Sequence, residues 1–188
     1  MFRRPMRPLR RAVMRGVMRP NQVVLQAVAR ANSLLAQGKP NDAAQIYERL
    51  AQEGESRGFA KPAANAHAQA ALAYAQAKNE TAALTHARTA LTQFVQLNMA
   101  QRAPTFYNNI VQKLRENGMA NVAETLQREF GDQIKALTAQ GFGAPAARGR
   151  LPSKCPHCAG PARSDEVEWI DAQSAECVFC GGVIQIEG

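Results

Sequence analysis

The chain has 188 residues, of which 6% are aromatic, and carries a formal net charge of +8. This length fits one ordinary domain, or one medium domain with a small attachment. The sequence has no uninterrupted apolar run of about 18 residues. Its amino end has no apolar core followed by a small-residue cleavage site. These absences argue against a membrane-spanning helix and against secretion.

The positive charge is concentrated at the amino end of the chain. Seven of the 23 basic residues lie in the first 19 positions, which contain no acidic residue. They are Arg3, Arg4, Arg7, Arg10, Arg11, Arg15 and Arg19. Removing these seven leaves 16 basic residues against 15 acidic ones, so the rest of the chain is nearly neutral. The basic character therefore belongs to a tail and not to a domain surface.

Residues 1–19 have the pattern of a short amphipathic helix. Pro5 and Pro8 disfavour helix at the start, and Leu9, Val13 and Val17 then recur at helical spacing among the arginines. The sequence therefore predicts a basic amphipathic arm. Four interpretations stay open: adsorption to an anionic membrane surface, contact with nucleic-acid phosphates, an organelle transit peptide, and a solvated tail without a partner.

The middle of the chain resembles itself when shifted by about forty residues. Aligned positions share small, apolar or turn-forming residues. Three of these sets are Ala31, Ala71 and Val111, then Gly38, Lys78 and Gly118, then Ala43, Ala83 and Ala123. Similarity at a fixed period over three units is typical of a helical repeat array, whose units bury their apolar faces only against each other.

The pattern predicts three antiparallel helical hairpins within a domain spanning residues 20–139. The helices are expected at 21–37 and 41–53, at 62–77 and 80–97, and at 104–116 and 120–137. Asn41 or Asp42 is the expected N-cap of the second helix. Residues 53–61, which contain two glycines, are predicted to form a loop between the first two hairpins. The predicted fold class is therefore mostly α.

These residues resemble the tetratricopeptide repeat family. The small and turn positions of that family are matched by Ala31, Gly38 and Ala43, and again by Ala71, Lys78 and Ala83. The second-helix pattern is matched by Tyr47, Leu50, Leu84 and Leu91. The period here is about forty residues and that of the family is about 34. The leading Trp position of the family is occupied by Ala27, His67 and Tyr107.

The resemblance implies a concave groove lined by the outward face of each first helix. The aligned register places Asn32, Leu35, Asn65, Gln69, Asn108, Asn109, Gln112 and Arg115 there. Amide side chains offer donors and an acceptor, so this row suits a peptide backbone better than a free carboxylate. The alternative is an exposed polar helix face that has no ligand.

The array has no recognisable catalytic motif. His67 and His86 lie within helices without a cysteine partner, so they are interpreted as core or surface histidines and not as catalytic or metal-binding residues. We find no nucleophile paired with a base and no phosphate-binding glycine loop. The sequence therefore predicts a protein that is not an enzyme.

After a Gly-, Ala- and Pro-rich linker at 140–152, the chain contains two Cys-x-x-Cys pairs. Their members are Cys155, Cys158, Cys177 and Cys180. Each pair can chelate one ion through two thiolates from a tight turn, and two such turns complete a tetrahedron. The spacing is typical of a zinc site in a reducing compartment.

Residues 153–188 resemble a zinc ribbon. Residues 166–171 alternate in the manner of a strand, with Val167 and Trp169 on one side, and residues 183–186 are the expected partner strand. Four thiolates leave no open coordination position, so one structural Zn²⁺ is predicted, with iron as the alternative metal. His157, inside the first pair, is predicted to face solvent.

The features together predict a non-enzymatic cytoplasmic adaptor that binds a protein partner. One alternative is a nucleic-acid- or ribosome-associated factor that uses the arm and the ribbon, and another is an adaptor held at a membrane surface by the arm. Residues 153–188 contain Lys154 and Arg163 but six acidic residues. These are Asp165, Glu166, Glu168, Asp171, Glu176 and Glu187. This acidity disfavours contact between the ribbon and a phosphate backbone.

Overall fold

The computed structural model describes residues 20–97, 99–142, 150–157, 160, 162–164, 167–169, 173–177 and 182–187. Six α-helices occur in this part of the chain. They are α1 (Pro20–Ala36), α2 (Pro40–Ser56), α3 (Ala60–Gln76), α4 (Glu80–Gln96), α5 (Arg102–Glu116) and α6 (Ala120–Ala139). The arm, residues 1–19, and residues 143–149 of the predicted linker lie outside the described residues.

The helices form an array in which each packs mainly on its neighbours in sequence. α1 contacts α2, α2 contacts α3, α3 contacts α4 and α5 contacts α6. Contacts between α3 and α5 and between α4 and α6 stack the second and third hairpins. The predicted mostly α, hairpin-based architecture is therefore confirmed at the level of a helical array.

The turns between helices share one backbone geometry. Gly38, Gly58 and Gly118 have φ of 73°, 77° and 81°, and Lys78 has φ of 59°. This left-handed conformation ends a helix and lets the following N–H bond back to a carbonyl of the last turn. The bonds run from Lys39 to Leu34, from Phe59 to Gly54, from Asn79 to Tyr74, from Met99 to Phe94 and from Met119 to Leu114. These five bonds follow one another at intervals of 20 residues, so the helices from α1 to α5 end in the same way.

The predicted loop at residues 53–61 is wrong. α2 continues to Ser56 and α3 begins at Ala60, so the first two hairpins are joined by the same short turn as the helices within them. The two glycines have different roles, although the sequence predicts one loop that contains both. Gly58 ends the helix, whereas Gly54 lies inside α2, where a Cβ atom would come within 3.1 Å of the Ala63 Cβ. Gly54 therefore permits close approach of α3.

The predicted cap of α2 is also wrong. Asn41 and Asp42 lie within the helix, because α2 begins at Pro40, and its N-cap is Lys39, which makes no side-chain cap bond. Proline suits the first helical position, since its missing N–H breaks no hydrogen bond there. A side-chain cap is found at α4, where the Asn79 carboxamide oxygen accepts a hydrogen bond from the Ala82 N–H at 3.2 Å.

The core between the helices is rich in alanine. Ala43, Ala83 and Ala123, which the forty-residue shift aligns, are all fully buried. α3 buries seven alanines. They are Ala63, Ala64, Ala68, Ala70, Ala71, Ala73 and Ala75. Larger side chains fill the space towards α5, where the rings of Phe94 and Phe106 meet edge to face with centroids 5.7 Å apart. Small side chains at the crossings therefore allow the helices to pack closely.

The described residues between 150 and 187, here called the C-terminal segment, contain a small antiparallel sheet. Its strands are β1 (Glu168–Trp169), β2 (Ser174–Glu176) and β3 (Val183–Gln185), in the order β1-β2-β3. β2 lies between the other two, with Trp169 opposite Ala175 and Ala175 opposite Ile184. The predicted direct pairing of the first and last strands is therefore wrong, because the intervening residues supply a central strand.

The C-terminal segment packs on the first helix of the array. Val28 of α1 is 2% exposed and shares a buried cluster with residues of the segment that include Leu151, Val167 and Ile184. Val24, Leu25 and Leu50 flank this cluster, and Leu50 also contacts the core of the array. The sequence predicts a separate small core beyond a linker. The two cores are instead joined through α1, whereas the domain boundaries at 139 and 153 stay predictions.

A substitution at an alanine crossing tests the packing of the array. We expect Ala83→Leu to destabilise the protein by roughly 1–3 kcal/mol, because the site has no room for three more carbons. The control is Ala136→Leu at an exposed position of α6, which should change the free energy of unfolding by less than about 0.5 kcal/mol. Urea unfolding followed by circular dichroism measures both. Equal effects of the two substitutions would contradict the assigned helix crossing.

Candidate metal centre and buried polar network

The first cysteines of the two Cys-x-x-Cys pairs have the same environment. Cys155 and Cys177 are each 2% exposed and lie in the cluster that contains Ala175 and Ile184. The Cys155 N–H donates to the carbonyl oxygen of Gly160 at 2.8 Å, and the Cys177 N–H donates to that of Gly182 at 2.9 Å. Both bonds span five residues, so the two turns close in the same way.

The first turn also directs a donor at sulfur. The His157 N–H donates to the Cys155 Sγ, with 3.4 Å between nitrogen and sulfur. The His157 ring is exposed, as predicted, and its Nε2 lies 3.2 Å from the Val183 carbonyl oxygen. The carbonyl can only accept, so Nε2 carries the proton and this ring nitrogen has no lone pair for a metal.

The predicted second cysteines, Cys158 and Cys180, lie outside the described residues. Among the residues that the structure describes, no group of three or more His, Cys, Asp or Glu side chains is arranged to hold a metal ion. The four-thiolate site therefore stays a prediction. The repeated turn geometry and the N–H directed at sulfur fit such a site.

The eight residues predicted to line a groove differ in exposure. Asn108, Gln112 and Arg115 are exposed on α5, and the other five are partly buried. The hydroxyl of Tyr47 donates to the Asn32 Oδ1 at 2.7 Å, and the Arg102 guanidinium donates to the Asn65 Oδ1. Leu35 packs against the array core. Asn32 and Asn65 therefore join neighbouring helices, while the part of the row on α5 faces solvent.

The other recorded bonds of this row also go to residues outside it. Gln112 donates to Glu116 at 2.8 Å, and Arg115 donates to Gln127 of α6 at 3.0 Å. Both are exposed contacts that a ligand could displace, because surface hydrogen bonds exchange readily with water. Partner binding by this row stays a prediction.

A histidine pair lies between α3 and α4. His67 and His86 are 6% and 8% exposed, and their Nδ1 atoms are 2.8 Å apart. The ring centroids are separated by 5.1 Å. This is a hydrogen-bond distance, so one Nδ1 carries a proton and the other accepts it. Their burial confirms the core alternative, whereas the absence of a catalytic or metal-binding role stays a prediction. The pairing of the two rings was not predicted.

Two glutamates of α2 flank the pair. The Glu55 Oε1 lies 3.0 Å from the His67 Nε2 and also accepts from the Gln93 Nε2 at 2.8 Å. The Glu48 Oε1 lies 3.8 Å from the His86 Nε2, and its other oxygen accepts from the Tyr74 hydroxyl. The Tyr74 ring also stacks on His86, with centroids 5.5 Å apart. The network therefore links α2, α3 and α4.

The environment shifts the acidity of three groups in this network. Burial, together with the neighbouring His67, lowers the pKa of His86, and the two glutamates only partly offset this. Burial alone would raise the pKa of Glu55, but hydrogen bonds from Gln93 and His67 outweigh it and lower the pKa. Burial and the bond to Glu48 raise the pKa of Tyr74 to about 12. Glu55 is therefore ionised and Tyr74 protonated near neutral pH.

The predicted hairpin carried a signal for this pair. His67 and His86 occur on opposite arms of one antiparallel hairpin, where side chains of the two helices meet. The pattern of apolar positions treats a histidine as a tolerated core residue, so it does not show that two of them share a site.

Comparison of the chain with protein-family models, curated proteins and solved structures found no match. Among the described residues, no helix is both long and apolar enough to cross a membrane.

Proposed function

We propose that this protein is a non-enzymatic cytoplasmic adaptor, in which a tetratricopeptide-like array binds a protein partner and a zinc ribbon stabilises the first hairpin. The stacking of the array is the observation that supports it most. Helices that pack mainly on sequence neighbours leave long side faces in solvent, and arrays use such faces to bind partners. The tetratricopeptide likeness is supported by the buried alanines at the family's small positions.

The α5 face is the part of the array that we propose as the contact surface. Asn108 and Gln112 are exposed there and offer amide donors and acceptors without a charge. An extended peptide has the matching groups along its backbone, so the proposed partner is a peptide segment of another protein.

We propose that Cys155, Cys158, Cys177 and Cys180 hold one Zn²⁺. The support is the shared closure of the two turns and the burial of both described sulfurs. When bound, zinc cross-links two turns that belong to a segment too short to bury a large core alone. Four thiolates fill a tetrahedral site, so the proposed metal is structural, and we propose no catalytic role for it.

The ribbon would act on the array through α1. Val28 is buried in the same cluster as Cys155 and Cys177, so ordering of the two turns also orders the surface that covers α1. In a repeat array the terminal unit needs such a cover, because one of its faces has no neighbouring repeat.

Metal analysis tests the ribbon. We expect about one zinc per chain in the purified protein, and Cys177→Ser should abolish binding, because three thiolates and a hydroxyl hold zinc far more weakly. His157→Asn is the matched control and should retain the metal, since its ring is exposed and is not a proposed ligand. The measurement is elemental analysis. Zinc-free wild type, or Cys177→Ser with full zinc, would refute the site, and stoichiometric iron would replace zinc by the alternative metal.

Affinity capture of the tagged full chain tests the adaptor proposal. We expect Asn108→Ala with Gln112→Ala to reduce capture of a specific partner about tenfold or more, as loss of two contacts near a binding centre does. Glu124→Ala with Arg128→Ala on exposed α6 is the control and should leave capture unchanged. Mass spectrometry quantifies the partner. Equal capture by both variants would refute the α5 surface.

Nuclease treatment of the captured material and a vesicle-binding assay separate the two alternatives that use residues 1–19. Capture that disappears after nuclease treatment and after deletion of the arm would favour the nucleic-acid-associated factor. Arm-dependent binding to anionic vesicles, abolished by Val13→Asp with Val17→Asp, would favour the membrane-associated adaptor, because that mode needs apolar burial as well as charge.

A further inference from the structure

We propose that the buried pair of His67 and His86 makes the helix packing of the array sensitive to pH. The pair keeps its hydrogen bond while it is neutral or carries one additional proton, and it loses the bond when both rings are protonated. Acid thereby loosens the packing of α2, α3 and α4. The pair is independent of the proposed metal site and partner surface, because it shares no residue with either.

The flanking carboxylate fixes the proton positions of the neutral pair. Ionised Glu55 can only accept, so the His67 Nε2 at 3.0 Å donates to it. A neutral imidazole has one N–H, so the Nδ1 of His67 has a lone pair. The bond of 2.8 Å between the rings then requires His86 to donate from its own Nδ1.

The first additional proton is compatible with this arrangement. In the neutral pair the Nε2 of His86 has a lone pair and lies 3.8 Å from the Glu48 carboxylate. A proton added there leaves the Nδ1 donor of His86 in place and gives the positive ring a facing negative charge. The singly charged pair therefore keeps the inter-ring bond.

The second additional proton has no compatible position. The one lone pair left in the rings is on the Nδ1 of His67, and it already accepts the proton of His86. Protonating it would bring two N–H groups and two positive rings together at 2.8 Å. Both histidines are buried, so water has little access to these protons unless the helices separate.

The remaining groups around the pair do not remove this limit. From α2 the facing charges are Glu48 and Glu55, and the hydroxyl of Tyr74 on α3, which stays protonated, donates to Glu48. α4 contributes Gln93, which is uncharged. From α5, the Arg102 guanidinium bonds Asn65 of α3 and lies 5.1 Å from the centroid of the Phe94 ring.

The geometry of the histidine pair and its two glutamates does not fit a metal site. In a tetrahedral site with metal–nitrogen distances of about 2.0–2.1 Å, two nitrogen ligands lie more than roughly 3 Å from each other. The Nδ1 atoms of the pair, 2.8 Å apart, are closer than that. The described residues also contain no group of three or more side chains arranged to bind a metal. A proton fits the space between the rings.

The sign of the pH effect follows from the folded-state affinity for protons. The folded pair accommodates one additional proton, whereas the two separated imidazoles of the unfolded chain accept two. Burial and the neighbouring His67 also lower the pKa of His86 below its ordinary value of 6.5, so the unfolded chain binds more protons below that value. Stability is therefore complete above about pH 6.5 and is lost as the pH falls towards the depressed pKa. The lowered pKa of Glu55 acts in the same direction, but below its ordinary value of 4.5. The histidine effect thus occupies the higher window.

Nuclear magnetic resonance of the imidazole nitrogens tests the pair directly in the full chain. The sequence has three histidines, and His157→Asn identifies the signal of the exposed one. At pH 8 we expect His67 to carry its proton on Nε2 and His86 on Nδ1, with a coupling through the shared hydrogen bond. Protons on Nε2 of both rings at pH 8, or protonation of both rings in the folded protein, would overturn the proposal.

Stability against pH gives the second readout. Between pH 7.5 and pH 5.0 we expect the unfolding equilibrium constant of the wild type to rise about tenfold or more. His86→Asn places a carboxamide donor near the Nδ1 position without a titrating proton, so its rise should be smaller. Both proteins contain the same cysteines, so any metal contribution cancels in the difference. An equal rise in both would overturn the proposal, and if the variant does not fold, the resonance experiment decides.

Discussion

The close approach of helices at buried alanines is the constraint on which the rest of this structure depends. Ala43, Ala83 and Ala123 are fully buried at equivalent places, and Gly54 lets α2 approach Ala63. Such short side chains bury little apolar area each, so the array depends on many close contacts and not on a few large residues. Several helices end in the same short left-handed turn, and these turns recur at regular intervals along the chain, which keeps the contacts in register.

Two features depart from this alanine packing, namely the buried histidine pair and the contact between the C-terminal segment and α1. We propose a function for each of them. The His67–His86 pair occupies the interior of the second hairpin and is tied by Glu55 to α2, so a change in the bonding of the pair acts on three helices. At the start of the array, the C-terminal segment buries Val28 of α1 together with Cys155 and Cys177. The two cysteine turns and the residues that cover α1 therefore belong to one hydrophobic cluster.

The sequence predicted the helices well because their ends are marked locally by Pro40, Gly38 and Gly118, and because apolar residues recur at helical spacing. It failed at residues 53–61, since a glycine at a close helix approach and a glycine at a helix end look alike in one sequence. It also missed the contact of Val28 with the C-terminal segment, which depends on residues far apart in the chain. The cysteine pairs were visible by spacing, whereas the histidine pair depends on the rotation of two helices.

Hydrogen–deuterium exchange tests the central claim that the array is closed at its first helix by the C-terminal segment. The comparison is between the full chain and a chain ending at Gln140. The account predicts that amides of α1 exchange at least about tenfold faster in the shortened chain, because Val24, Leu25 and Val28 lose their cover. Amides in the middle of α3 should change much less, since its neighbours α2 and α4 are retained. Unchanged protection of α1 in the shortened chain would contradict the account.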